Sequence, residues 1–88
     1  MRISRTHALG KDEAKRRVDK LADALGSQLG VNGQWCDDQL DVSGSGVNGH
    51  IIVADDTIDV DVQLGFALML MEGTIRSAIE DAMDKHLA

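Results

Sequence analysis

The stretch V47-N-G-H-I-I-V-A-D-D-T-I-D-V-D-V-Q-L-G-F-A-L-M-L-M71 decides how this chain folds. Ile58, Val60, Val62 and Leu64 alternate with Asp59, Asp61 and Gln63, the period-two pattern of a strand with one buried and one wet face. A two-residue loop at Asp55-Asp56 pairs this run with the one before it. Ile51 then stands opposite Val60 and Val53 opposite Ile58, with the apolar side chains on a common face. After Leu64 the period changes: Leu68, Met71, Ile75, Ala78, Ile79 and Ala82 recur at helical spacing. Between residues 64 and 71, however, the helix has no polar face for about two turns, and a helix that is apolar all round needs cover on more than one side. A chain of 88 residues has little protein with which to supply that cover. The segment therefore points to contact with a second copy, a partner or a hydrophobic surface.

Outward from this stretch, the turn residues divide residues 31–64 into four short strands, at 31–36, 39–43, 47–54 and 57–64. Their connections are Asp37-Asp38, Gly44-Ser45 and Asp55-Asp56. The register that follows sets Trp35 opposite Leu40, Val42 opposite Val47 and Leu40 opposite Gly49, and every large apolar residue except Ile52 falls on one face. Further upstream, Gly10 leads into a helix whose first turn holds Asp12 and Glu13, which suit the positive end of the helix dipole. Its apolar stripe is Ala14, Val18, Leu21, Ala22, Leu25 and Leu29, and Gly30 is placed to stop it. Residues 2–7 read as a short strand with Ile3 as its apolar contributor. The final helix is predicted over residues 66–86, with Arg76, Glu80, Asp81, Asp84 and Lys85 outward in its later half. The expected fold is α+β, a single domain over residues 1–88 in the order β-α-β-β-β-β-α. It has two layers, a mostly antiparallel sheet with two helices packed on one face.

Composition narrows the function classes. The net charge of −6 argues against nucleic acid, which demands a basic footprint. The charge is uneven: residues 1–20 hold seven basic against three acidic side chains, a balance of +4, and the remainder carries −10. The first helix could therefore present a basic face to an anionic partner, or simply a solvated face beside an acidic sheet. One Trp, one Phe and no Tyr make the core aliphatic, and no proline divides the chain. A single cysteine, Cys36, excludes an internal disulfide framework and fits a reducing cytosol. The start M-R-I-S-R-T-H lacks the apolar core of a signal peptide, and no apolar run approaches the ~20 residues of a transmembrane span. A cytoplasmic location is expected.

Candidate chemistry is sparse. The register lines up Cys36, Gln39, His50 and Asp61 across the polar sheet face. Cys36 and His50, two strands apart, would be separated by about 10 Å, where a nucleophile and its base need roughly 3 Å. His50 opposite Asp61 is an ordinary cross-strand pair. Asp41, Asp59 and Asp61 share the face without the pattern of a calcium loop. His7, His50 and His86 fall on three elements without metal-ligand spacing. S43-G-S-G-V-N-G49 lacks G-x-x-x-x-G-K and precedes a strand, so it is no phosphate loop. Gly49, inward in mid-strand, would leave room for a helix or for Trp35. No catalytic residue, cofactor or metal is expected. The expected site is a contact surface of Leu64, Phe66, Leu68, Met69, Leu70 and Met71, in which the unbranched methionines suit an irregular partner. The competing assignment makes the same residues core, with the helix deep in a curled sheet.

These motifs resemble a family of small bacterial proteins, the polyhydroxyalkanoic acid system proteins, over almost the whole chain. The resemblance rests on I-x-x-x-H-x-L (Ile3, His7, Leu9) before a helix containing Ala14. It continues through S-G-V-N-G-H-I-x-V (Ser45 to Val53), V-D-V-x-L-G (Val60 to Gly65), the apolar run, and G-x-I (Gly73, Ile75). Family members often carry a proline within the apolar run. This chain has none, so its helix is expected to begin earlier or run straighter. The resemblance implies association with the synthesis, use or coating of storage polyester granules in the cytoplasm and implies no known enzymatic activity. The leading expectation is thus a non-enzymatic accessory protein that meets a hydrophobic granule surface or a granule protein. A homodimer built on the same segment is the alternative. A carrier with a small hydrophobic ligand between the last helix and the sheet, near Trp35 and Phe66, comes third.

Overall fold

The computed structural model describes residues 1–44 and 46–87. Ser45, assigned above to a turn, and the side chain of Leu29, assigned to the helix stripe, lie outside what is described. The first helix, α1 (Lys11–Leu29), starts with Asp12 and Glu13 in its first turn and ends at Gly30. That glycine adopts the left-handed conformation (φ 69°) and donates its N–H to the Gly26 carbonyl. Ala14, Val18, Leu21 and Leu25 form its buried stripe.

Five strands make one sheet: β1 (Arg2–Thr6), β2 (Val31–Cys36), β3 (Gln39–Gly44), β4 (Val47–Val53) and β5 (Thr57–Leu64). Their order is β1-β5-β4-β3-β2, and every neighbouring pair is antiparallel. The first strand lies at one edge beside β5, and the second lies at the other. The chain of α1 therefore carries the fold across the whole sheet. His7 secures the β1 end, donating its own amide to the Asp56 carbonyl (2.9 Å) and accepting from the Leu9 amide at Nδ1 (3.1 Å). With Nδ1 an acceptor, neutral His7 carries its proton on Nε2, which faces the Ala54 carbonyl at 3.1 Å.

Two of the three hairpin registers are those expected. Trp35 pairs with Leu40, Ile51 with Val60 and Val53 with Ile58. The third differs by two residues: Gly44 pairs with Val47, Leu40 with Ile51 and Val42 with Gly49. The strand extends through Gly44, and the turn passes through Gly46 at φ 80°. A two-residue slip keeps every side chain on its face, so facial patterning alone could not detect it. Gly49 is also explained differently. A Cβ there would meet the Asp61 carbonyl and lie 2.9 Å from Val62 Cα, so close approach of β5, and neither a helix nor Trp35, requires glycine.

The last helical region is not one helix. A single turn, α2 (Phe66–Met69), is followed by α3 (Glu72–Leu87). The predicted continuous helix over 66–86 is interrupted at Leu70 and Met71, where the Met71 amide bonds back three residues to the Leu68 carbonyl. The absence of proline did not straighten it. Glycine and threonine at positions 73 and 74 form helix weakly, and Leu68 is held elsewhere, as described below. Among the described residues the layers thus hold three helices in place of two. One core joins the inner sheet face, including Leu40, Ile51, Ile58 and Val60, to the α1 stripe and to Ile75, Ile79 and Met83 of α3.

Candidate functional site

Leu64 ends β5 opposite Val47 and packs against the core. The following Gly65 donates its amide to the Gly46 carbonyl at 2.6 Å and accepts from the amides of Leu68 and Met69 at 3.0 Å each. The single turn α2 is thereby pinned to the β3–β4 turn. Leu68 completes the anchor: its Cδ1 lies 3.2 Å from where a Cβ on Gly46 would stand, and its side chain packs on the core. Glycine at both 46 and 65 permits this approach, because a Cβ on Gly65 would come within 3.3 Å of the Gly46 backbone.

The same geometry turns the rest of the segment outward. Phe66 and Leu70 are each 91% exposed, Met69 57% and Met71 50%. Of the six residues assigned to contact, Leu64 and Leu68 hold the segment to the fold, and Phe66, Met69, Leu70 and Met71 stand in water. Full burial of each such side chain against an apolar partner is worth about 1.5–3 kcal/mol. Phe66 and Leu70 fall off the phase of Leu68, Ile75 and Ile79, but Met71 lies on that phase and is still half exposed, so spacing alone does not separate anchors from exposed residues.

The other candidates separate. His50 stands between Asp41 and Asp61, and Gln39 stands opposite Ile52, so Cys36, Gln39, His50 and Asp61 do not form one row. Cys36 is exposed and opposite Gln39. Asp41 accepts from Gln39 Nε2 at 2.8 Å, and Asp59 accepts from the Ser4 hydroxyl. Among the described residues no three His, Cys, Asp or Glu side chains gather as metal ligands. Trp35 Nε1–H donates to Asp19 at 3.1 Å, and Lys15 Nζ sits 5.0 Å from its ring centroid. Trp35 lies toward the β2–β3 turn and Phe66 follows the opposite end of β5, so the fold does not bring the two together. An apolar void of about 40 Å³ lies instead between α1, the sheet and the start of α3, lined by Leu21, Leu25, Val42, Val62, Ile75 and Ile79 among others.

Electrostatics concentrate far from the apolar tip. Asp38 at the β2–β3 turn faces Lys11 at 3.1 Å and Lys15 at 3.5 Å, clasping α1 to the hairpin. The hydrogen bond from Lys11 holds the Asp38 carboxyl below the usual aspartate range, and the same bond raises Lys11. No helix among the described residues is long and apolar enough to cross a membrane.

Fold and surface together define a two-layer α+β protein that offers an anchored, exposed apolar turn and no gathered set of reactive groups among its described residues. The chain belongs to the family described as "Putative polyhydroxyalkanoic acid system protein", whose family model matches residues 1–87. No curated protein and no solved structure matches it significantly.

Proposed function

We propose that the protein is a non-enzymatic accessory of polyhydroxyalkanoate storage metabolism in the cytoplasm, attached to the hydrophobic granule surface or to a granule protein through its apolar turn. The observation that carries this reading is the 91% exposure of Phe66 and Leu70 beside half-exposed Met69 and Met71. A contiguous exposed apolar patch of this kind is a usual mark of an interaction site. Leu64 and Leu68 fix its position, and the family context supplies a hydrophobic target. The acidic sheet face, with Asp41, Asp59 and Asp61, would keep a coated particle dispersed.

Fractionation of granules from polyester-producing cells tests the proposal. The parent chain should sediment with granules, and a folded Phe66→Asp/Leu70→Asp variant should move to the supernatant. Equal partitioning of both would reject it. The second reading, a homodimer through the same patch, draws on the same exposure, because two copies can bury each other's apolar turns. Light scattering on the purified chain separates the two: a dimer that persists on dilution, and that the double variant splits, favours self-association.

A further inference from the structure

We infer that the groove between α1 and the end of α3 is a docking site for an acidic peptide segment of a partner protein. The groove, of about 380 Å³, is lined by Glu13, Arg16, Arg17, Lys20, Lys85 and His86. Its two walls come from distant parts of the chain, brought together where Arg17 Nη1 donates to the His86 carbonyl at 3.3 Å. Four of the nine basic residues of a chain with net charge −6 line this one groove.

Most of the protein's other positive charge is paired elsewhere. Lys11 and Lys15 face Asp38, Arg5 faces Glu80 and Asp84, and Arg76 faces Glu80 at 2.9 Å. Arg2 stands opposite Asp61 in the sheet. Among the described residues lining the groove Glu13 is the one carboxylate, and Arg16 (3.0 Å) and Arg17 (3.4 Å) share it. Among the described residues Lys20 and Lys85 make no ion pair. Lys20 and Lys85 therefore stand as unanswered positive charge in a groove of a protein that is otherwise acidic, and complementary charge selects the partner's sign. Arg16 and Lys20 lie one turn apart on α1, so they can meet successive carboxylates along a peptide. The net charge of −6 on the chain disfavours an extended nucleic acid, which leaves a short acidic peptide as the better partner.

The inference is independent of the apolar turn, and its test keeps the two apart. The full-length chain, labelled with ¹⁵N, is titrated with an oligoglutamate peptide while amide shifts are followed. Shifts confined to residues 13–20 and 83–87, weakening as ionic strength rises, are expected. A Lys20→Glu/Lys85→Glu variant should bind about tenfold or more weakly, and Phe66→Asp/Leu70→Asp should bind as the parent does. If charge reversal unfolds the chain by circular dichroism, Lys20→Gln/Lys85→Gln serves instead, with a smaller loss expected. No shifts in the groove, or unchanged affinity in the folded lysine variant, overturn the inference. Tighter binding of oligothymidylate or of phosphatidylglycerol vesicles to the same residues overturns it too, by assigning the groove to phosphate.

Discussion

Gly49 and Gly73 are both glycines inside regular elements, yet their surroundings demand opposite outcomes on substitution. At Gly49 a Cβ would press into the backbone of β5, 2.9 Å from Val62 Cα, and backbone cannot yield as a side-chain tip can. Gly49→Ala should lower stability by about 2 kcal/mol or more, in the range of overpacking. At Gly73 a Cβ meets nothing within 4 Å. Gly73→Ala should raise stability by about 0.5–1 kcal/mol through helix propensity and a less flexible unfolded chain. Urea denaturation of the two variants checks both signs. The sequence marked Gly49 as a place where something comes close. It could not name the neighbour, because a register that sets Val62 across from Gly49 does not say how closely the two backbones approach. His7 was legible only as part of a motif. Its place, stapling β1 to the β4–β5 turn, depends on where the first strand pairs.

Among the elements, α1 is the best specified and its clasp to the β2–β3 hairpin the most testable. Because folded Asp38 titrates below an ordinary aspartate, the clasp is complete above the ordinary aspartate value and fades as pH falls through the lowered one. Because Lys11 is raised, it is complete below the ordinary lysine value and fades as pH rises through the raised one. Both groups are solvent-exposed, so the effect belongs in titration curves and not in stability. NMR titration of Asp38→Asn should find Lys11 returned toward its ordinary value. The void of about 40 Å³ between α1, the sheet and α3 gives the second prediction at this scale. Val42→Ile, which adds one methylene beside it on a strand, should gain about 0.5–1 kcal/mol. Leu21→Ala, which enlarges it, should lose about 2–5 kcal/mol. Thermal unfolding distinguishes them. The helix pattern after Leu64 was readable in the sequence, but the break at Leu70 was not, because α2 takes its direction from the Gly46 turn some twenty residues earlier in the chain.

For the whole molecule, stability should fall from the centre of the sheet to the apolar tip. Strands β4 and β5 have a neighbour on both sides, whereas α2 is a single turn held by its glycine contact and Leu68. Native-state hydrogen exchange should therefore find Ile51 and Val60 among the slowest amides and Leu70 among the fastest. A uniform exchange rate across β5 and α2 would contradict this. The sequence by itself determined the element types, the facial assignment of every strand, the aliphatic core and the presence of an apolar block too large for its own helix. Those properties follow from local periodicity and turn chemistry, which residues near in sequence fix among themselves. Only the tertiary structure decided that β1 pairs with β5 and that Leu64 and Leu68 anchor while Phe66 and Leu70 project. It also brought Lys85 and His86 beside Arg16, Arg17 and Lys20. Each of these joins residues far apart in the chain, and such pairings are settled by the packing of the completed core, which no window of sequence contains.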